Sequence, residues 1–557
     1  MTDAKFGRED LSCDVLIIGG GVAGLTAAVS IKERAPEADV LIVEKQTCGY
    51  SGKANKGGGV LQYFDLSKID PIQFVAFHAN AIGCFLGDQG LMAKYVSMNN
   101  LMLGKLAEWG ARLPKKPDGS WNVVPTGPMT AMIGVDLDIT LKVRTTAERL
   151  GVRIIDKTTV TDLLTTNRKI AGATGFSILD GKFYTFGAKA VVLASGSQNY
   201  RVGSMWSSGR GDGIAAAYRA GAQLRNPEFG NFAQLVKVKS HEEVVFGENF
   251  MYNDKGEHVT KNFRERRESD ISSTAIREWY TQMQAGSPIH LEIQSDGPSL
   301  FEMFDRPYGA KFWQLCHERS AVVDTDMEVC PMLIGEQSPV RVGHDMQTTI
   351  PGLFAIGDVS YCGSAAPGAV PAPPGRNRGS GILNAVFAGI LCADGAATTA
   401  GGAASTTNLD QTQISESIGR VYAPLERAKG VTAKDVIREV QRAVGPMENS
   451  VYMNGERIAK AMEYVNKGKE LSKMLKAKDF HDLLSCHEAE AMVLCAELQF
   501  LASDMRRESR GWFLREDYPE TDNENWLKWI TVTNVDGKPV FETEAVPIDK
   551  WPIKPTN

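Results

Sequence analysis

What this chain of 557 residues lacks narrows its chemistry. No two of its nine cysteines, at positions 13, 48, 84, 316, 330, 362, 392, 486 and 495, stand in a CxxC pair. That excludes a zinc or iron–sulfur centre built on such pairs, so no metal site is expected and any cluster must sit on another subunit. An odd number of scattered cysteines also suits reduced thiols rather than a disulfide framework. The opening MTDAKFGREDLSCD mixes both charge signs without an apolar core, and the apolar runs elsewhere are too short or too rich in glycine to span a bilayer. A cytoplasmic protein without a transmembrane segment is expected. Basic excess is missing as well: the formal net charge is −6, which gives no field for nucleic acid. No fixed-period repeat divides the chain, and its length predicts two to four domains at roughly 100–200 residues each.

What is present starts at Asp14. DVLIIGGGVAGL runs a buried-strand pattern into Gly19, Gly21 and Gly24, the spacing of a dinucleotide-binding turn. Gly19 permits the tight turn, Gly21 lets the backbone approach a pyrophosphate, and Gly24 lets the next helix pack closely with its N-terminus toward phosphate. LIVEK follows as a second apolar strand. Its Glu44 falls about 20 residues on, where a carboxylate holds a ribose hydroxyl.

After Lys45, CGYSGKANKGGGVLQYF is polar and glycine-rich, as backbone lying against a flat ligand requires. Residues 70–113 read as helices from apolar spacings of three and four. From Val152 to Gly196 the runs RIIDKTTVTDLLTT, IAGATGFSIL, KFYTF and KAVVLASG read as a meander that ends in a buried strand. GRGDGIAAAYRAGAQL follows, with Asp212 as the expected cap of an Ala-rich helix and its glycines as a second close approach to ligand. Between about Phe232 and His344 the composition turns mixed and charged, with a turn at NDKGE and a capped helix in SDISSTAIREWYTQM. TTIPGLFAIGDVS resumes a buried strand ending at Asp358, and RGSGILNAVFAGILCADGAA opens a helix, so the nucleotide-binding unit is discontinuous. AATTAGGAASTTN reads as a linker, and 412–508 as almost wholly helical.

These strings, with NRGSGILNAVFAG and the late RRESRGWFLREDYPETDNENWLK, resemble the flavoprotein subunits of the succinate dehydrogenase and fumarate reductase family over nearly the whole chain. FGNFAQLVKV and the acidic C-terminal tail lean toward the adenylylsulfate reductase alpha-subunit branch. The resemblance implies an α/β fold: a Rossmann-like FAD-binding domain with an inserted α+β capping domain and a C-terminal helical domain. The expected boundaries are 1–231 with 345–400, 232–344, 401–510, and a tail over 511–557. It also implies extended FAD, with Glu44 on the adenosine ribose, Asp358 near the ribityl chain or pyrophosphate, and Ser51 to Val60 along the isoalloxazine. Cofactor candidates are Gly19, Gly21, Gly24, Glu44, Lys45, Ser51, Gly57, Gly58, Gly59, Gly196, Asp212, Asp358, Ser380 and Ile382. Many family members link flavin covalently through a histidine in that loop, and this loop has none, so non-covalent FAD is expected. Cys48, close by and without a neighbouring cysteine, reads as an inert packing thiol.

The departures concern substrate. The family's catalytic arginine string is matched by RRESDISSTAI, where the arginine position falls at Ser269 with Arg266 and Arg267 just before it. The substrate histidines fall at Ala233 and Val329, and the arginine of the NRxGGN-type string is kept as Arg378, beside Arg376 and Asn377. A dicarboxylate needs a cation or donor at each end, whereas one bidentate guanidinium serves one end. The expected substrate is a small anionic organic molecule with a less polar remainder, and the catalytic candidates are Arg378, Arg267 and Arg266. Tyr50, Tyr63, Tyr361 and His344 are weaker proton sources. The expected activity is hydride exchange between flavin and an enoate-type C=C/C–C bond, with electrons relayed by an iron–sulfur (ferredoxin-like) partner. Adenylylsulfate-reductase-like sulfur chemistry and a catalytically silent electron-transfer scaffold are the alternatives. Four tryptophans in the tail, Trp512, Trp526, Trp529 and Trp551, suit either a subunit interface or folding back on the helical domain.

Overall fold

The computed structural model describes residues 6–54, 59–81, 83–125, 129–136, 138–202, 209–230, 233–238, 251–257, 259, 273–292, 326–333, 335–361, 380–402, 409–511 and 513–556. Strands of three residues or more are numbered along the chain: β1 Arg8–Ile18, β2 Val40–Val43, β3 Val60–Tyr63, β4 Ala131–Gly134, β5 Arg153–Ile155, β6 Thr158–Thr166, β7 Lys169–Ser177, β8 Phe183–Leu193, β9 Ala233–Lys237, β10 Met251–Asn253, β11 Ile289–Glu292, β12 Asp326–Leu333, β13 Leu353–Ala355, β14 Lys528–Val535 and β15 Lys538–Ala545. Helices of eight residues or more are α1 Val22–Arg34, α2 Pro71–Ala81, α3 Gln89–Ser97, α4 Asn99–Glu108, α5 Ile139–Arg149, α6 Asp212–Arg219, α7 Ser273–Gln284, α8 Ser380–Gly402, α9 Gln411–Glu426, α10 Ala433–Val444, α11 Gly455–Ser472 and α12 Phe480–Met505.

The main sheet has the order β5-β2-β1-β8-β7-β6, with β13 also on β8. β5, β2, β1, β8 and β13 run parallel, while β7 and β6 return antiparallel. β8 is shared along its length. Its first half pairs β7 (Phe183–Gly187) and its second half pairs β13 (Val191–Leu193), with β1 on its other edge throughout. KFYTF and KAVVL are therefore one strand, not two, because pairing with β1 continues through Gly187 and Ala188 between them. The meander is confined to β6, β7 and β8, since RII joins the parallel edge as β5. Val15–Ile18 and Val40–Val43 are buried on both faces, as strands flanked by helices must be. One core layer packs α1, α2 to α5 and α8 on one face, and the other joins the opposite face to the capping strands and the C-terminal helices.

Two expectations are corrected here. The expected linker AATTAGGAASTTN is helical through Gly402, because α8 is held along its length against α1: a Cβ at Gly389 would stand 2.9 Å from Thr26. Residues 403–408 lie outside the described residues. Asp212 is the first residue of α6 rather than its cap. The N-cap is Gly211 at φ +71°, a left-handed conformation that favours glycine, and the Asp212 carboxylate turns to a lysine instead. The cap of α7 falls outside the described residues, whereas the turn at NDKGE is formed with the Asn253 carboxamide oxygen accepting from Lys255 and Glu257 N–H. α8 is long and apolar enough to cross a bilayer, but most of it is buried in the core.

A four-stranded antiparallel sheet, β9-β12-β11-β10, forms the capping layer. The tail folds back, yet its hairpin does not simply lie on the helices: β14 pairs with Leu224–Arg225 just after α6. Trp529 seals that junction. Its ring lies 3.9 Å from the Arg225 guanidinium and 6.1 Å from Trp551, and its Nε1 donates to the Leu86 carbonyl at 2.8 Å. Trp526 is partly buried and its carbonyl accepts from Arg506, while Trp512 is outside the described residues.

Candidate cofactor-binding site

The carboxyl ends of the parallel strands β1, β2, β8 and β13 meet at one edge, which is where ligands bind open parallel sheets. The turn after β1 is built as its glycines require. Gly19 has φ +111°, and a Cβ there would meet the Ala194 carbonyl oxygen at 2.5 Å. A Cβ on Gly24 would stand 2.0 Å from the Gly19 oxygen, so α1 can seat directly on the turn only with glycine there. At Gly21, the N-cap of α1, a Cβ would meet nothing within 4 Å. That glycine therefore leaves room in front of the helix N-terminus, where an anion is favoured.

Glu44 directly follows β2 and is buried. Its carboxylate accepts from Gly20 N–H at 2.7 Å and from Gln46 N–H at 2.8 Å, which orients it toward the turn. Lys45 Nζ contacts Asp212 at 2.9 Å and Glu488 of α12 at 3.0 Å. Burial disfavours its charge, but the two carboxylates outweigh that and hold its pKa above the ordinary value. Glu488 also pairs with Arg201 and, at 3.5 Å, Arg210. Gly196, after β8, has φ +79° and open space where a Cβ would be. Asp358 follows β13, next to Gly357 at φ +62°.

Three buried oxygens at this edge have no hydrogen-bond partner among the described residues: Ser51 Oγ, Ser195 Oγ and Asp212 Oδ1. Buried polar atoms are normally satisfied. Their grouping beside an open glycine turn fits a polar ligand such as an extended dinucleotide, whose phosphate and ribose groups would supply the missing partners. Ser195 lies inside the KAVVLASG string, where spacing does not single it out, and sequence reasoning missed Lys53, Glu336 and Glu488. Lys53 was legible as one of two lysines, with Lys56, in a ligand-facing loop. Glu336 and Glu488 carry no local signal because they arrive from distant chain segments.

Gly59 begins the described part of the loop beyond the turn, and its carbonyl accepts from Val135 at 2.8 Å. Gly57, Gly58, Arg266, Arg267, Ser269, Arg376, Asn377 and Arg378 lie outside the described residues. Ser380 is buried at the first residue of α8 and Ile382 is partly buried. Ala233 and Val329 are buried at opposite ends of the β9–β12 ladder, Ala233 opposite Leu333 and Val329 opposite Lys237. Both sit in an apolar layer. Of the proton-source candidates, Tyr361 is buried and accepts from Asn226 at 2.8 Å, and burial drives its pKa far above the ordinary value. His344 is exposed and pairs with Asp88 at 2.8 Å, Tyr50 is exposed, and burial raises the Tyr63 pKa. Cys48 is fully buried against Gly20, with its thiol pushed up to about 12 by burial and by Glu44.

The FAD binding domain model matches residues 14–278, and the fumarate reductase flavoprotein C-terminal model matches 442–557. The chain is 25% identical to the 8-methylmenaquinol:fumarate reductase flavoprotein subunit of Wolinella succinogenes, covering 94% of this chain and 88% of that protein. It is 26% identical to the fumarate reductase flavoprotein subunit of Mycobacterium tuberculosis, over 97% and 98%. Among solved structures, the FrdA chain of E. coli quinol fumarate reductase superposes with a TM-score of 0.85 at 20% identity, covering 98% of this chain and 99% of that one. Adenylylsulfate reductase of Archaeoglobus fulgidus gives 0.79 at 21% identity, over 98% and 97%.

Proposed function

This chain belongs to the flavoprotein family of the fumarate reductases and succinate dehydrogenases, and from that membership we propose that it is a FAD-bearing subunit that reduces or oxidises a small anionic organic substrate at an activated C=C/C–C bond. The observation that supports this most is the strand-edge cleft, where an open Gly21, the aimed Glu44 and three unpartnered buried oxygens meet. In this reading Gly19 to Gly24 and the start of α1 hold the pyrophosphate, Glu44 holds the adenosine ribose, and Asp358 with Ser51 holds the far end. Bound FAD supplies two-electron hydride chemistry. Residues 1–231 and 345–400 form the cofactor domain, 232–344 the cap, 401–510 the helical domain and 511–557 the tail. FAD is held without a covalent link, since the loop over Ser51 to Val60 contains no histidine.

Substrate handling falls to the chain's arginines. Arg378 clamps one carboxylate through its planar fork, and Arg266 or Arg267 moves a proton to the substrate carbon. Ala233 and Val329 offer apolar contact in place of a second polar clamp. Electrons reach or leave the site through an iron–sulfur partner, in the cytoplasm. Reconstitution with FAD, followed by screening of unsaturated acids with reduced viologen as donor, tests the reading. Viologen oxidation on adding a monocarboxylic enoate is expected, and Arg378→Ala should lower kcat/KM by about 10- to 100-fold, the worth of a charged hydrogen-bonding pair. A flavin-loaded protein that oxidises viologen with no unsaturated acid would sink it. The apolar positions 233 and 329 favour one second reading, an electron-transfer scaffold with a silent pocket, in which Arg378→Ala leaves turnover unchanged.

A further inference from the structure

Residues 51–54 cross the mouth of the cleft. Gly52 has φ +88°, and a Cβ on it would lie 3.6 Å from Gly21 Cα, so this segment rests on the glycine turn itself. From there Lys53 reaches over the strand ends: its Nζ stands 2.8 Å from Ser197 Oγ after β8 and 3.0 Å from Asp358 Oδ2 after β13. Its third contact, at 2.5 Å, is Glu336 Oε1. Glu336 comes from the segment following the capping strand β12 and is fully buried, with its backbone at φ +124°. A non-glycine residue persists in that conformation only where its surroundings fix it. Among the described residues, one ammonium thus faces two carboxylates, with side-chain exposures of 17%, 0% and 17%.

We propose that Lys53 and Glu336 form an opposed charge couple at the cofactor cleft that sets the reduction potential of the bound flavin. The proposal rests on the FAD reading of the cleft and deepens it. Charges removed from water act strongly on a neighbouring group, because little solvent screens them. Two-electron reduction of FAD adds negative charge to the ring system unless a second proton follows, so a nearby cation favours the reduced form and a nearby anion the oxidised form. Lys53 therefore pulls the potential up and Glu336 pulls it down. Their link also ties the flavin side of the cleft to the cap strand, so the potential is coupled to how β12 sits.

The test compares Lys53→Met, Lys53→Arg and Glu336→Gln in the full-length FAD-loaded protein, reduced with dithionite in the presence of reference dyes. At a fixed ambient potential, Lys53→Met should move the oxidised-to-reduced ratio about tenfold toward oxidised, which is about 30 mV for a two-electron couple. Glu336→Gln should move it about tenfold the other way, and Lys53→Arg should stay within threefold of wild type. Opposite signs separate this from simple damage, which would move both variants together. Shifts of the same sign, or a Glu336→Gln ratio within twofold of wild type, overturn the proposal even if Lys53→Met fails to retain FAD. A yellow protein with unmoved ratios refutes the couple and leaves the FAD reading standing, whereas a wild-type protein that refuses FAD overturns both.

Discussion

The cofactor cleft and the base of the C-terminal hairpin both bury charge, and they do so in opposite ways. At the hairpin, Arg506 and Arg510 are 0% and 1% exposed and closed on all sides. Arg506 donates to Glu228 at 2.8 Å, to Glu508 at 2.7 Å and to the carbonyls of Trp526 and Lys528. Arg510 forks onto both Glu508 oxygens at 2.8 Å and reaches the Cys84 carbonyl and Asn523. Glu228 Oε2 alone of these carboxylate oxygens is without a partner among the described residues. At the cleft the lysines keep 17% exposure and three oxygens wait without partners. A guanidinium shared among carbonyls and carboxylates fixes one geometry, whereas a largely buried ammonium that keeps some exposure beside unsatisfied oxygens leaves room for a guest. The first arrangement holds the chain together and the second holds a place open.

Breaking the closed network should give the largest effect. Arg506→Ala strands Glu228 and Glu508 in the interior, and losing one partner of a buried pair costs about 3–5 kcal/mol. Calorimetry should show a correspondingly lower Tm with and without FAD. A Tm unchanged by Arg506→Ala would mean that the hairpin base is not a support, and the contrast would fail at that end.

The later two glycines of the turn sharpen the other end. Gly24→Ala drives a methyl into the Gly19 carbonyl oxygen, and backbone cannot step aside cheaply, so overpacking of about 1–3 kcal/mol is expected. Gly21 has φ −76° and open space where a Cβ would fall, so the unliganded Gly21→Ala protein should keep its stability within about 0.5 kcal/mol. FAD affinity, followed by fluorescence titration, should nonetheless fall at least about tenfold for Gly21→Ala, about 1.4 kcal/mol. Equal FAD affinity in that variant would show that the space before α1 is not the ligand's.

How much of this was legible depends on where the information sits. The turn from Gly19 to Gly24 and Glu44 could be read directly, because local spacing and the strand pattern determine them. The helical run after 412 and the presence of a late buried strand were readable for the same reason, although that strand stops at Ala355 and Asp358 lies in the turn after it, not at its end. The Gly401–Gly402 end of α8 misleads because glycine content signals a break, while burial of the preceding turns against α1 carries the helix onward. Asp212 misleads because a carboxylate before an Ala-rich run suits a cap, and only the fold reveals Lys45 opposite it. Contacts such as Lys53–Glu336 and Trp529–Arg225 join residues hundreds of positions apart, and no periodicity announces them.

A smaller effect lies between the two regions, at Glu488. Burial alone would raise its pKa, but Lys45, Arg210 and Arg201 outweigh burial and hold it below the ordinary carboxylate range. A carboxyl depressed in the folded state contributes stability that is present above the unfolded value near 4.3 and is lost as pH falls through the folded value. Melting temperature should therefore drop below about pH 4.3 in the wild type, and the acid limb should be flatter in Glu488→Gln. Parallel acid limbs for the two proteins would remove Glu488 from the account.

The smallest effect is expected at Cys48, which tests whether the open cleft has firm walls. Its sulfur fills the space where a Cβ on Gly20 would fall, 2.6 Å away, and its amide is held by Asp156 at 2.7 Å. With the thiol pushed up to about 12, little thiolate exists at pH 8, and the buried sulfur gives a reagent no path that leaves the glycine turn in place. Iodoacetamide should leave Cys48 unmodified in the native protein and label it after denaturation, as read by peptide mass. Labelling of the unliganded protein that FAD suppresses would show that the turn opens on its own. The cleft would then be shaped by its guest instead of waiting for it, and the distinction between a fixed frame and a reserved space would have to be withdrawn at this wall.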